Sequence, residues 1–88
     1  MQGKNKKTMT AAERVHVGQV KKLDCVICGE PGPVDAHEPE QGMWWLSVGL
    51  CRACHTGSQG WHGNRDRWKN HKMTELKAIN KTLAQLME

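Results

Sequence analysis

The sequence predicts one small α+β domain, in which a short hairpin-and-loop segment is held between two cysteine turns with helices on either side. Three observations predict it. Two Cys-x-x-Cys turns, Cys25–Cys28 and Cys51–Cys54, bracket a stretch that contains Pro31-Gly32-Pro33 and β-compatible residues. A capped helical run stands before that stretch, and an amphipathic run stands after it. With 88 residues, the chain has room for one core.

The elements follow in chain order. Residues 1–9 are polar and basic and read as a disordered arm, which leaves residues 10–88 as the domain. Thr10-Ala11-Ala12-Glu13 fits a capping box and predicts a helix over residues 11–22, with Val15, Val20 and Leu23 available for burial. In Cys25-Val26-Ile27-Cys28-Gly29 the glycine suits a tight turn that needs positive φ. Pro31-Gly32-Pro33 excludes helix. Trp44 to Leu50 alternates in part and reads as a short strand. Thr56 to Gly60 is a flexible turn, and a helical run starts near Asn64 and includes Trp68. Thr74 caps the last helix, whose periodicity places Leu76, Ile79, Leu83, Leu86 and Met87 on one face.

Hydrophobic residues make up 38% of the chain, with no Phe or Tyr. A core that small needs a staple, either disulfides or a metal. The start of the chain has no apolar stretch behind its charges, and no run is long enough to span a membrane, so a cytosolic location with reduced thiols is expected. The spacing C-x2-C-x22-C-x2-C then reads as four ligands to one structural zinc: Cys25, Cys28, Cys51 and Cys54. An iron–sulfur cluster or a redox pair would use the same residue type. The absence of a thioredoxin-like βαβ pattern argues against the redox pair.

Charge is uneven along the chain. Residues 1–22 carry +5, residues 23–60 carry −4, and residues 61–88 carry +3, for a net +4. Basic flanks suit a polyanion such as nucleic acid, and equally an ordinary solvated surface. Arg52, Arg65, Arg67, Lys69 and Lys72 are the candidate phosphate contacts, each with a solvated face as its alternative. Trp44, Trp45, Trp61 and Trp68 are the only aromatics and belong to the core before they belong to base stacking, with Trp44 or Trp45 partly exposed.

Three histidines fall near the cysteines in sequence. His37 lies in the loop that the zinc closes, His55 follows Cys54, and His62 sits in Gly60-Trp61-His62-Gly63. Together they predict a second metal site, since neutral imidazoles bind divalent ions. His16 and His71 fall outside it and read as exposed.

The order Cys-x-x-Cys-Gly, Asp35-Ala36-His37, Leu50-Cys51-Arg52-Ala53-Cys54-His55 resembles the zinc-stapled His-Asn-His (ββα-metal, or His-Me finger) endonucleases. The run Gly60-Trp61-His62-Gly63-Asn64-Arg65 followed by Trp68-Lys69 is similar to the phage recombination-enhancement, RecA-dependent nucleases of that group. The resemblance covers residues 23–85. It implies a phage or prophage gene product in the cytoplasm of a bacterial host, acting on DNA and associated with a recombination protein. It further implies a divalent ion (Zn²⁺, Mg²⁺ or Mn²⁺) at His37, His55 and His62, bound to the scissile phosphate, and a base that activates water. Members of the group often read Ala-His-His, whereas here Glu38 follows His37. If His37 is a metal ligand, Glu38 is the candidate base, with a carboxylate pKa of about 4.3 when unperturbed. If His37 is the base, Asp35 or Glu38 must complete the ligand set. The middle Asn of the pattern is missing, and Ser47 is the one side chain between Trp44 and Leu50 able to stand in for it. Three functions remain in view: a metal-dependent DNA endonuclease, a zinc-stabilised DNA- or protein-binding module without catalysis, and a structural adaptor.

Overall fold

The structure, a computed structural model, describes residues 8–88. The predicted basic arm falls mainly on residues 1–7, outside the described residues. Helix α1 spans Ala11–Val20, strand β1 Asp35–His37, a 3₁₀ turn Trp44–Leu46, strand β2 Val48–Leu50, and helices α2, α3 and α4 Arg52–His55, Asp66–Asn70 and Glu75–Leu86. The two strands pair antiparallel, with Asp35 opposite Leu50, Ala36 opposite Gly49 and His37 opposite Val48. No helix among the described residues is long and apolar enough to cross a membrane.

Helix α1 starts where its cap dictates. Thr10 Oγ1 accepts from the Glu13 amide at 3.1 Å, and the Thr10 amide donates to Glu13 Oε1 at 2.8 Å. Val17 and Val20 turn inward, while Val15 stays on the solvent side, 62% exposed. The first cysteine turn follows. The Gly29 amide donates to the Cys25 carbonyl at 2.9 Å, and Gly29 takes φ 81°, a conformation that costs a residue with a Cβ. The Val26 amide donates to the Gly49 carbonyl at 3.0 Å, so this turn is stitched to the edge of the hairpin.

The core is built around the cysteines. Val26, Ile27, Val34, Val48, Leu50, Trp68 and Ala78 pack with Cys25 and Cys54, and Trp61, Met73 and Ile79 close over them. Trp68 is its largest buried side chain, and its indole N–H donates to the Cys54 carbonyl at 2.8 Å. Trp45 is half exposed, and Trp44 is partly buried.

Three expectations are corrected. Trp44 to Leu50 is not one strand. Ser47 is buried and donates its hydroxyl to the Trp44 carbonyl at 2.6 Å, which holds residues 44–46 in a 3₁₀ turn, so the strand begins only at Val48. Helix α4 is present and Thr74 caps it, accepting from the Lys77 amide at 3.2 Å. Its fully buried residues, however, are Ala78 and Thr82; Ile79, Leu83 and Leu86 are half-buried beside them, while Leu76 and Met87 point outward. Small side chains let the helix approach β2 closely, and the Thr82 hydroxyl is satisfied within the helix by the Ala78 carbonyl at 2.8 Å. His16 is not exposed but half buried, its ring centroid 5.0 Å from that of Trp45.

Candidate metal centre

The two cysteine turns meet. The four sulfurs lie within 4.8 Å of one another, with Cys28 Sγ and Cys51 Sγ 3.7 Å apart. A tetrahedral zinc with bonds of about 2.3 Å has sulfurs about 3.8 Å apart along each edge, so the spacing fits the ion. All four cysteines are free of disulfides. Cys25 and Cys54 are buried, whereas Cys28 and Cys51 are half exposed. Burial pushes the Cys54 and Cys51 thiols up. At Cys28 burial acts the same way, but the Glu30 amide, the Arg67 guanidinium and the neighbouring thiols outweigh it and bring the thiol down to about 7. The cluster is a four-thiolate site able to hold structural zinc.

The three predicted histidines also come together. His37 ends β1, His55 ends α2, and His62 stands in the turn between α2 and α3. Ring centroids are 5.1 Å apart for His37 and His55, 5.5 Å for His37 and His62, and 4.9 Å for His55 and His62. One ring nitrogen from each lies within 4.8 Å of the others. The turn reaches this position by folding back on α2: the Trp61 amide donates to the Cys54 carbonyl at 2.9 Å and the His62 amide to the His55 carbonyl at 3.0 Å. Gly60 makes this close approach possible, since a Cβ there would stand 2.6 Å from the Ala53 carbonyl oxygen.

Two carboxylates hold two of the rings. His55 Nδ1 lies 3.1 Å from Asp35 Oδ2, and His37 Nε2 lies 2.9 Å from Glu75 Oε2. Each ring donates from the nitrogen facing its carboxylate, which leaves Nε2 of His55 and Nδ1 of His37 as lone-pair donors. His62 has no such partner among the described residues and is exposed. Desolvation, then the positive fields of His55, His37 and Arg65, hold it below the usual histidine range, which favours the neutral, metal-binding form. The three rings line an open cleft of about 320 Å³ together with Ala36, Glu38 and Gln41. Glu38 is on that cleft, with Oε1 accepting from the Gly42 amide at 2.8 Å.

The basic residues separate into different settings. Arg65 stands beside the cluster, its guanidinium 3.6 Å above the Trp61 ring and its Nε donating to the Trp61 carbonyl at 2.7 Å. Arg52 is exposed and 3.6 Å from Asp35. Lys69 pairs with Asp66 at 3.8 Å, and Lys72 is exposed. Arg67 turns instead to the cysteines, its Nε 3.3 Å from Cys54 Sγ. Glu75 is the site residue that sequence reasoning missed. Its sole local signal is its place just after the Thr74 cap, where any acidic residue favours the helix start. No known protein family, no characterised protein and no solved structure matches this chain.

Proposed function

We propose that the chain is a metal-dependent DNA endonuclease of the His-Asn-His, ββα-metal type, with its second metal at His37, His55 and His62. One observation carries this reading: three imidazoles converge beside the four-thiolate cluster, and two of them are hydrogen-bonded through one ring nitrogen to carboxylates. Metal-ligating histidines almost always have such partners, which fix the tautomer and aim the free nitrogen. An all-imidazole donor set suits zinc better than magnesium or manganese. A metal bound there supplies Lewis-acid stabilisation to the scissile phosphate and the departing 3′-oxygen.

The chain's own residues supply the rest. Asp35 and Glu75 hold His55 and His37 in their ligating tautomers. With His37 a ligand, Glu38 is the base: its carboxylate lines the cleft, and the Gly42 amide on Oε1 steadies the group while Oε2 faces no other hydrogen-bond partner among the described residues. Arg65, fixed by its stack and its bond to the Trp61 carbonyl, offers its remaining N–H groups to a phosphate. Ser47 fills the position of the missing Asn, with its hydroxyl holding the turn that leads into β2. A phage setting and a recombination partner belong to the same proposal.

A second reading, a zinc-stabilised DNA- or protein-binding module without catalysis, is favoured by the same Glu38, whose bond to Gly42 also suits a purely structural turn. Plasmid nicking with added Zn²⁺, Mn²⁺ or Mg²⁺ separates the two. Nicking that disappears in His37→Ala, with two metals per chain by metal analysis, supports the nuclease. Absence of cleavage with every ion, together with salt-sensitive DNA binding, supports the module.

A further inference from the structure

Zinc held by four thiolates carries a net charge of about −2, and a buried charge of that kind depends on N–H donors to the sulfurs. Three of the four have amides of the nearby backbone that favour their thiolates: the Ile27 amide lies 3.4 Å from Cys25 Sγ, and the Glu30 and Cys54 amides act on Cys28 and Cys51. Cys54 has no such backbone donor among the described residues, and the local fold explains why. The chain after Cys54 continues the helical turn of α2, so the amide of His55 goes to the Cys51 carbonyl and those of Thr56 and Gly57 go to the Arg52 carbonyl. Cys54 is also fully buried, so water cannot make up the difference.

The guanidinium of Arg67 fills this gap. Its Nε is 3.3 Å from Cys54 Sγ, and its charge also favours the Cys28 thiolate. It therefore acts on one sulfur from each cysteine turn. Its position is set by the segment that carries it: the Arg67 amide donates to the Gln59 carbonyl at 3.0 Å, and the neighbouring Trp68 indole to the Cys54 carbonyl at 2.8 Å. We propose that Arg67 is a zinc-site residue, whose N–H···S bond to Cys54 stabilises the four-thiolate centre and protects its sulfurs from electrophiles that would release the metal. The inference is independent of the nuclease reading, because it concerns only the cysteine cluster.

The test uses the full chain with zinc at the cysteines. Zinc release under N-ethylmaleimide is followed with a chromogenic chelator for the wild type, Arg67→Gln and Arg67→Lys. The cobalt-substituted proteins are compared by absorption. Loss of a charge-assisted hydrogen bond predicts release about 10-fold faster in Arg67→Gln. It also predicts a sulfur-to-cobalt charge-transfer band at lower energy, with the tetrahedral ligand-field bands in place. Arg67→Lys keeps the charge without the planar fork and falls between. Lys69→Gln removes an exposed cation from the same helix, away from the cysteines, and leaves the band where it is. Wild-type release and an unmoved band in Arg67→Gln overturn the proposal, as does a band shift in Lys69→Gln equal to that in Arg67→Gln. If Arg67→Gln fails to hold metal, Arg67→Lys decides: faster release with a shifted band supports the proposal, and wild-type behaviour overturns it.

Discussion

Glu75 opens α4 and sets its carboxylate 2.9 Å from Nε2 of His37. Glu75→Gln keeps an acceptor there and removes the charge, while Glu75→Ala removes both. His37 is 5% exposed, so in the Ala variant its N–H is left with little access to water. An unsatisfied buried donor costs about 1–3 kcal/mol. Glu75 itself is 27% exposed, which lets some water into the vacated space and points to the lower half of that range, about 1–1.5 kcal/mol. The Gln variant should lose well under about 1 kcal/mol. Second-site metal affinity should fall in both, since loss of such a partner typically costs about 10–100-fold, with Gln near the lower figure and Ala near the upper. Calorimetric titration of zinc into protein already holding one equivalent measures the affinity, and thermal unfolding of the same samples measures the stability. If both variants bind the second equivalent as tightly as the wild type, the positioning role is wrong. If Gln costs as much stability as Ala, the hydrogen-bond argument is wrong.

Other perturbations test other parts of the molecule. Cys25→Ser should abolish the cooperative thermal transition and its sensitivity to EDTA, because the apparent binding energy of structural zinc, about 10–16 kcal/mol, is comparable to the whole stability of a small domain; unchanged melting with and without EDTA would count against structural zinc. Trp68→Ala should cost about 3–5 kcal/mol in denaturant unfolding, enough to unfold much of the population. His62 carries a folded pKa below its ordinary 6.5, so the unfolded chain binds more protons there. Stability is therefore present above about pH 6.5 and falls as pH drops through the window beneath it. With the second site kept free of metal, His62→Asn should flatten the dependence of melting temperature on pH across that window.

What the sequence disclosed was local. Thr10 and Glu13 fix the start of α1 within four residues of each other, and the pairing needs no tertiary help. Gly29 and the two Cys-x-x-Cys turns are equally short-range; the cysteines carry His55 with Cys54, while His62 comes in through the turn that folds back on α2 at Gly60. The failures depend on distant partners. Periodicity marks the bulkiest apolar row of α4, of which Ile79, Leu83 and Leu86 are half-buried, whereas the docking against β2 centres on Ala78 and Thr82 because of their small size. Glu75 reaches a histidine 38 positions away, beyond any spacing rule. Arg67 looks like any basic residue on a charged helix until α3 swings it over Cys54. Ser47 delays the start of β2 to Val48 by capturing the Trp44 carbonyl, a side-chain bond that β-propensity does not register.

Cys25 and Cys54 are counted among the buried side chains that pack with Val26, Leu50 and Trp68. Half of the ligand set therefore belongs to the interior, and collapse without the ion would bring thiols together with nothing between them. A newly synthesised chain short of zinc should therefore stay open to proteases, and its abundance in a cell should follow the free zinc supply more closely than the rate at which its message is translated.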